Sequence, residues 1–131
     1  MAGADQKGKT GQCSLNATHL IKGASEVATG IRKKMVIYGD DYQAPDGSCI
    51  RDYIHVSDLA EDHLVVFGLL QATQESHVLN CGYGKGSSVK EVIAESQHVT
   101  GKDLNATIGP RRAGEISALV SDPTRLIRFT G

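Results

Sequence analysis

The sequence has 131 residues, enough for one ordinary domain but few for an enzyme that holds both a large cofactor and its substrate. Its 40% hydrophobic and 22% charged residues are a globular composition, which excludes a disordered or collagen-like chain. With 14 basic and 15 acidic residues, the net charge of -1 gives no overall field that attracts nucleic acid or an anionic membrane. No apolar run approaches the roughly 18 residues of a membrane span.

The first helix is expected over residues 18–29, where small and apolar residues recur at three- and four-residue spacing. Asn16 or Thr18 is the expected N-cap, and Gly30 is the expected stop. The residues before 18 are rich in glycine, lysine and serine and show almost no apolar periodicity, which predicts a loop.

The remaining elements are predicted from β-prone runs, helical apolar spacing and capping motifs. In chain order they are strands at residues 35–38 and 50–54, a helix over 57–73 capped by Ser57, a strand at 77–80, a glycine loop at 81–86, a helix with a Ser88–Glu91 capping box that ends at Gly101, a strand at 103–108, an arginine-rich loop at 109–117 and a helix opened by Asp122 and Pro123.

The cysteines and histidines lack the spacing of metal ligands or disulfide partners. Cys13, Cys49 and Cys81 are odd in number, contain no CxxC pair and follow no apolar leader after Met1, which predicts reduced thiols in the cytoplasm. The five histidines show no HxxxH or mixed Cys/His spacing, so we expect no metal site. No GxSxG elbow or papain-type cysteine context supports nucleophilic hydrolysis.

Residues 80–88, NCGYGKGSS, have the glycine content of a dinucleotide-binding turn. Such a turn needs GxGxxG between a strand and a helix, and an acid about 20 residues later at the end of the next strand. Here Gly82 and Gly84 are followed at the third place by Ser87, and Asp103 opens the next expected strand. A tight strand-to-helix turn is therefore favoured over a dinucleotide site.

Two charged segments are candidates for an anion site. Arg51, Asp52 and Tyr53 follow a long loop, and the fork of an arginine matches phosphate geometry. In residues 110–115, PRRAGE, an arginine could hold a diphosphate and Glu115 could accept ribose hydroxyls. The alternatives are a surface Arg51–Asp52 ion pair and a merely solvated charged loop.

Residues 51–60, RDYIHVSDLA, together with YGDDY at 38–42 and the PRRAGE loop, resemble the carboxy-terminal part of the UDP-glucose 4-epimerases, which are extended short-chain dehydrogenases/reductases. The likeness covers nearly the whole chain in order, and the run IYGDDYQAPDGSCIRDYIHV is particular to the epimerases. It implies an α/β fold in which residues 1–131 form the substrate-binding carboxy-terminal region, without most of the Rossmann domain. Residues 51–80 resemble elements that pack on the NAD-binding sheet.

The resemblance also implies an isomerase of galactose metabolism that interconverts UDP-glucose and UDP-galactose. In that family a bound NAD takes hydride from C4 of the sugar while the tyrosine of a YxxxK pair removes the hydroxyl proton. Hydride then returns to the other face of the keto sugar. NAD is therefore expected as the cofactor of the complete enzyme, and a homodimer only of the full-length enzyme. Neither nucleic acid nor a membrane is an expected partner.

The roles that the resemblance gives to this chain are all in substrate binding. It places His19 and Leu20 at the diphosphate, Val36, Ile37 and Tyr38 beside the uracil, Arg51 and Arg112 on the phosphates with Tyr53 in support, Val89 at the nucleotide and Glu115 on the ribose. The family usually has aspartate in place of Glu115, and some members have asparagine in place of His19, so polar groups are kept with altered geometry.

Two motifs of the family are absent. Gly8-x-x-Gly11 is followed at the next third place by Ser14, and none of the four tyrosines has lysine four residues later. We therefore expect a substrate-binding fragment that is inactive alone, with no catalytic or cofactor-binding residues. The alternatives are a non-catalytic UDP-sugar-binding module, a truncated gene product, or another NAD-dependent nucleotide-sugar enzyme such as a decarboxylase or a 4,6-dehydratase.

The helix expected over residues 57–73 carries many apolar side chains, namely Leu64, Val65, Val66, Phe67, Leu69 and Leu70. In the resembling family these side chains pack on the NAD-binding sheet. Without that sheet an apolar patch is exposed, which predicts association or poor stability of the isolated chain.

Overall fold

The computed structural model describes residues 2–12 and 18–131, which form a mixed α/β structure. Its elements in chain order are α1 (Leu20–Ala28), β1 (Val36–Tyr38), β2 (Ile50–Arg51), α2 (Val56–Thr73), β3 (Ser87–Ser88), α3 (Val89–Thr100), β4 (Thr107–Gly109), β5 (Ala118–Leu119) and α4 (Thr124–Thr130).

These elements belong to two compact units. Unit 1 comprises residues 1–11, 52–86 and 120–131, and therefore contains α2 and α4. Unit 2 comprises residues 12–51 and 87–119, and contains α1, α3 and the strands β1 to β5. The division is finer than the single region expected from the sequence. The packing of residues 51–80 on an NAD-binding sheet stays a prediction.

Two small sheets organise unit 2. In the first, β1 runs parallel to β4, with Val36 opposite Thr107 and Tyr38 opposite Gly109. In the second, β2 lies between β3, which is antiparallel to it, and β5, which is parallel to it. Residues 110–117, which we call the arginine loop, connect β4 to β5. The arginine loop therefore starts at the carboxyl end of β1 and finishes beside β2.

The core of unit 2 is formed by α1, α3, β1 and the segment before β4. Leu104 is 0% exposed at its centre. The buried residues around it are Ala24, Ala28, Met35, Ile37 and Ile93, and the half-buried side chains of Leu20, Val27 and Val89 pack against them.

The amino terminus of α3 has the capping box that the sequence predicts. The Ser88 hydroxyl accepts a hydrogen bond from the Glu91 amide at 3.0 Å, and the Glu91 carboxylate accepts one from the Ser88 amide at 2.8 Å. The helix ends at Gly101, whose φ of 64° is the left-handed conformation that favours glycine at a C-cap. Both predicted ends of α3 are confirmed. Each end is predictable because it depends only on residues within one helical turn.

The amino terminus of α1 differs from its prediction. The N-cap is His19, whose side chain makes no capping hydrogen bond. The prediction of Thr18 as the N-cap is therefore wrong, and the alternative, Asn16, lies outside the described residues. Leu20, the first helical residue, packs against the core, and this tertiary contact defines the start in place of a polar cap. Gly30, with φ 80°, follows the helix as predicted.

The caps of α2 and α4 also differ from their predictions. The N-cap of α2 is His55, whose Nδ1 accepts from the Ser57 amide at 3.2 Å, so Ser57 is the donor and not the cap. In α4 the N-cap is Pro123, and the Asp122 carboxylate accepts from the Thr124 amide at 3.0 Å. In both helices the side-chain acceptor lies two residues before its donor.

Residues 77–80 are not a strand, although their sequence predicts one. The His77 ring stacks against Phe129 with the ring centroids 4.8 Å apart. The Asn80 side chain donates to the backbone carbonyl of Asp122 at 3.4 Å. Side-chain contacts with the carboxy-terminal segment of unit 1 thus take the place of a backbone ladder.

The strand boundaries follow the pairing partners more closely than the β-propensity. Of residues 50–54 only Ile50–Arg51 form a strand, because the backbone carbonyl of Ile54 accepts from the Ala2 amide, at 2.8 Å, within unit 1. The strand predicted at residues 103–108 is confined to Thr107–Gly109. Strands β3 and β5 were missed because two residues are too few to show alternation.

Helix α2 leaves many of its large apolar side chains exposed within unit 1. It packs against α4, yet none of its residues is buried. Leu64 is 72% exposed and Phe67 is 56% exposed. None of the helices in the described part of the chain combines the length and the apolarity that a bilayer span requires.

Candidate functional site

The arginine loop brings two parts of unit 2 together. Its first residues leave β4 beside Tyr38, and its last residues enter β5 beside Arg51. Between them, the Glu115 amide donates to the Arg112 carbonyl at 3.3 Å, and Gly114 has φ 74°, which a tight turn requires of glycine. The loop therefore offers Arg112 to one strand and Glu115 to the other.

Arg51 is held at two points. Its Nη2 lies 2.7 Å from Oε1 of Glu115, and its Nη1 donates to the backbone carbonyl of Ile50 at 2.7 Å. The Arg51 and Glu115 side chains are 25% and 22% exposed. The alternative of a surface ion pair between Arg51 and Asp52 is wrong, because Arg51 pairs with Glu115 instead. The Asp52 carboxylate accepts a hydrogen bond from the Ser121 amide in unit 1. A guanidinium fixed in this way still has N–H groups to offer an anion.

Arg112 lies over the ring of Tyr38, with Cζ 3.9 Å from the ring centroid. Tyr38 ends β1 and is 39% exposed, so this cation–π contact lies at the surface of unit 2. In the part of the chain that the structure describes, no carboxylate pairs with Arg112. Its positive charge is therefore not neutralised by a neighbour.

Strand β1 separates the three residues that the resemblance places beside uracil. Side chains alternate along a strand, so Val36 and Tyr38 share one face and Ile37 lies on the other. Ile37 is 8% exposed and belongs to the core. Only its backbone can face a ligand, whereas Val36 and Tyr38 offer their side chains.

The remaining predicted ligand residues lie at helix starts or in unit 1. His19 is exposed at the amino terminus of α1, and Leu20 follows it as the first helical residue. Val89 opens α3, and its amide donates to the Cys49 carbonyl at 3.0 Å. Tyr53 is half-buried in unit 1, while all the other predicted ligand residues belong to unit 2.

A buried polar network that the sequence analysis missed fastens the loop after β1 to α3. The Asp46 carboxylate accepts from the Ser88 hydroxyl, and from the amide and hydroxyl of Ser48 at 2.8 Å each. The Asp46 carbonyl accepts from Nζ of Lys90 at 2.7 Å. Ser48 and Ser88 are 0% and 4% exposed. Asp46 lies 42 positions from Ser88 and 44 from Lys90, so no local pattern reveals the network.

The Asp46 network predicts a loss of stability in acid. Burial raises the pKa of Asp46, but the hydrogen bonds from Ser88 and Ser48 and the charge of Lys90 outweigh it, so this pKa lies below the ordinary value of 3.8. A lowered folded-state pKa means that the ionised carboxylate stabilises the fold above the unfolded-state value, and that this stability is lost as the pH falls through the folded-state pKa.

We therefore expect Asp46→Asn to lower the free energy of unfolding at neutral pH, and the difference from the wild type to shrink below about pH 4. Urea unfolding followed by circular dichroism over this pH range measures both effects. Asp40→Asn is the matched control, because Asp40 is an exposed carboxylate of the same loop. A pH-independent difference between Asp46→Asn and the wild type contradicts the prediction.

The glycine turn at residues 81–86 does not fit a dinucleotide cofactor. A Cβ atom at Gly82 would lie 2.6 Å from Cβ of Ser121 and would overlap the Asp52 carboxylate. The close approach at this glycine is thus filled by the chain itself and leaves no room for a pyrophosphate. Among the described residues no group of three His, Cys, Asp or Glu side chains could hold a metal ion. Cys49 and Cys81 are free thiols, while Cys13 lies outside the described residues.

Comparison with known proteins gives consistent relatives. The chain is 47% identical over 126 residues to the UDP-glucose 4-epimerase of Azospirillum brasilense. This match covers 96% of this chain and 36% of that protein. The chain is also 48% identical over 130 residues to the UDP-glucose 4-epimerase of Halalkalibacterium halodurans. That match covers 99% of this chain and 39% of that protein. No protein-family model matches the sequence.

The solved structures agree with the sequence relatives. UDP-glucose 4-epimerase from Brucella ovis in complex with NAD matches with a TM-score of 0.90 and 39% identity, over 98% of this chain and 40% of that one. UDP-glucose 4-epimerase from Bifidobacterium longum in complex with NAD+ and UDP matches with a TM-score of 0.75 and 39% identity, over 82% of this chain and 32% of that one. The α/β fold class and the resemblance found in the sequence are thereby confirmed. The chain spans well under half the length of these proteins.

Proposed function

We propose, from the premise that this chain belongs to the UDP-glucose 4-epimerase family, that unit 2 holds the UDP part of a UDP-sugar for a longer enzyme. The observation that carries the proposal is the arginine loop, which sets Glu115 against Arg51 and Arg112 over Tyr38. Two arginines, a carboxylate and an exposed aromatic ring match a diphosphate, a ribose and a base.

The diphosphate is the part of the ligand that the two arginines recognise. Arg51 is oriented by Glu115 and by the Ile50 carbonyl, and its remaining N–H groups are available to a phosphate. Arg112 adds a charge that no carboxylate in the described part of the chain neutralises. His19 and Leu20, at the start of α1, contribute from the same unit.

The nucleoside is recognised by the groups around the diphosphate. Tyr38 and Val36 offer one face of β1 to the uracil, and Val89 contributes from the start of α3. Glu115 holds Arg51 through Oε1, which leaves Oε2 to accept a ribose hydroxyl. Tyr53 belongs to unit 1, and its role in phosphate binding stays a prediction from the resemblance.

The chemistry belongs to the longer enzyme. The described residues provide no cradle for NAD, and no tyrosine of the sequence has lysine four positions later. We therefore assign no hydride or proton transfer to this chain. In this proposal the complete enzyme is cytoplasmic and interconverts UDP-glucose and UDP-galactose. It binds NAD, supplies the catalytic base and forms the homodimer. The relatives that match over nearly the whole chain are epimerases, which favours epimerase over decarboxylase or dehydratase.

Calorimetric titration of the purified chain with UDP tests the proposal. Wild-type chain is expected to bind UDP, and Arg51→Ala and Arg112→Ala are each expected to bind at least about tenfold more weakly, because each loses a charge-assisted contact worth about 1.5–3 kcal/mol. Arg51→Lys keeps the charge beside Glu115 and serves where Arg51→Ala unfolds. Arg128→Ala, at the end of α4 in unit 1, is the matched control.

The outcomes distinguish a binding module that folds by itself from a segment that binds UDP only as part of the longer enzyme. Binding that is lost in both site variants and kept in Arg128→Ala favours a UDP-sugar-binding module that folds by itself. A folded wild-type chain without affinity for UDP would show that the site needs the rest of the enzyme, and the chain would then act only as part of it.

A further inference from the structure

The two consecutive arginines of the arginine loop have different partners. Nε of Arg111 donates to Oδ1 of Asp41 at 2.5 Å, and its Nη2 donates to the backbone carbonyl of the same residue. The Arg111 guanidinium also lies over the ring of Tyr42, with Cζ 4.2 Å from the centroid. Arg112 lies over Tyr38. One arginine is thus tied to the loop that follows β1, and the other lies against the end of β1 itself.

Arg111 is held by packing as well as by charge. The Arg111 and Asp41 side chains are 48% and 70% exposed, and an exposed ion pair alone fixes a side chain weakly. The Tyr42 side chain beneath it, however, is only 7% exposed. At Gly39, which has φ 84°, a Cβ atom would lie 2.7 Å from Cγ of Arg111 and 2.7 Å from Cε2 of Tyr42. The aliphatic part of Arg111 therefore lies directly on the Gly39 backbone.

We propose that Arg111 is a positioning residue, which fastens the arginine loop to residues 39–42 and so fixes Arg112 over Tyr38. This inference rests on the proposed function, because it explains how Arg112 is presented to the diphosphate. The backbone amide of Gly39 donates to the Gly109 carbonyl at 3.0 Å, so the loop leaves β4 next to residue 39. Arg111 extends that attachment by two residues, up to the point where Arg112 begins.

Charge separates the roles of the two arginines. The hydrogen bond and the charge of Arg111 lower the pKa of Asp41 despite some burial, so this carboxyl is ionised at neutral pH. The Arg111–Asp41 pair is then neutral as a whole and offers an anion little attraction. Arg112 has no such counter-ion in the described part of the chain. Of these two neighbouring arginines, Arg112 is therefore the one that attracts a diphosphate.

The test compares the double variant Arg111→Gln/Asp41→Asn, which removes a neutral ion pair, with Arg112→Gln, which removes an uncompensated positive charge. UDP affinity is measured by calorimetry over a range of salt concentrations. For Arg111→Gln/Asp41→Asn, which leaves the local net charge unchanged, we expect about tenfold weaker binding with the salt dependence of the wild type. For Arg112→Gln we expect weaker binding with a flatter salt dependence. Arg111→Lys restores the charge but neither the planar fork nor the stack, and is expected to stay weak.

A second measurement needs no ligand. The ring-proton NMR signals of Tyr38, identified with Tyr38→Phe, report the cation that lies over the ring. These signals are expected to shift in Arg111→Gln, and in the same direction but less in Asp41→Asn, which keeps Arg111 and weakens its attachment. A merely structural role of Arg111 would not move the signals of a ring that it does not contact.

Two results would overturn the inference. A flattened salt dependence in Arg111→Gln/Asp41→Asn would make Arg111 a direct contact of the diphosphate. Wild-type Tyr38 signals in a folded Arg111→Gln variant would show that Arg112 keeps its place without Arg111. If the wild-type chain does not bind UDP, the proposed function fails in this chain, and the Tyr38 signals alone decide the positioning role.

Discussion

Replacing Leu104 with alanine is expected to lower the free energy of unfolding of unit 2 by about 2–5 kcal/mol. Leu104 is 0% exposed, and it lies among Met35, Ile37 and Ile93. Alanine removes the apolar atoms and leaves a cavity that a close-packed core fills only partly. A domain is stable by only about 5–15 kcal/mol, so a large fraction of the stability is lost.

The functional consequence follows from what this core supports. Ile37 belongs to β1, which ends at Tyr38, and Val89 opens α3 and packs on the same cluster. UDP affinity is therefore expected to fall in Leu104→Ala in proportion to the unfolded fraction. Urea unfolding followed by far-UV circular dichroism measures the stability, since the chain contains no tryptophan to report it by fluorescence.

The matched control for this prediction is Leu119→Ala, the same substitution at a side chain that is 61% exposed. A change within about 0.5 kcal/mol is expected there, because little apolar surface is returned to water. Equal effects of the two variants would show that Leu104 is not at the centre of a cooperative core.

Local chemistry accounts for the parts of the fold that the sequence predicts. The Ser88–Glu91 capping box and the terminal glycines at 30 and 101 act within one helical turn, so their residue types are sufficient evidence. Caps and strands that depend on packing were predicted less well. The start of α1 is defined by a core contact of Leu20, and residues 77–80 lack the partner strand that their β-propensity would need.

The candidate site depends on pairing across long separations, which no local pattern contains. Arg51 and Glu115 are 64 positions apart and meet because β2 pairs with β5. The sequence indicates each as a candidate ligand residue in its own segment, but it does not pair them with each other, and the alternative that it offers for Arg51 is its neighbour Asp52. Asp41 and Arg111, 70 positions apart, were not singled out for the same reason.

The exposed side chains of α2 lead to the second large expected effect, on self-association. Leu64 and Phe67 are 72% and 56% exposed, and the whole helix is without a buried residue. A helix that is apolar on most of its surface is stable when another surface covers it. We therefore expect the wild-type chain to associate at micromolar concentration.

The double variant Leu64→Lys/Phe67→Glu is expected to weaken this association by about a hundredfold or more, because each large apolar side chain contributes about 1.5–3 kcal/mol when fully buried. Both new residues favour helix, and together they leave the net charge at -1, so solubility from added charge does not explain the effect. Sedimentation velocity over a range of concentrations measures it. Val78→Lys/Val99→Glu, at side chains 81% and 74% exposed outside α2, is the matched control and should associate as the wild type does. A wild-type chain that stays monomeric over this concentration range would show that α2 needs no covering surface.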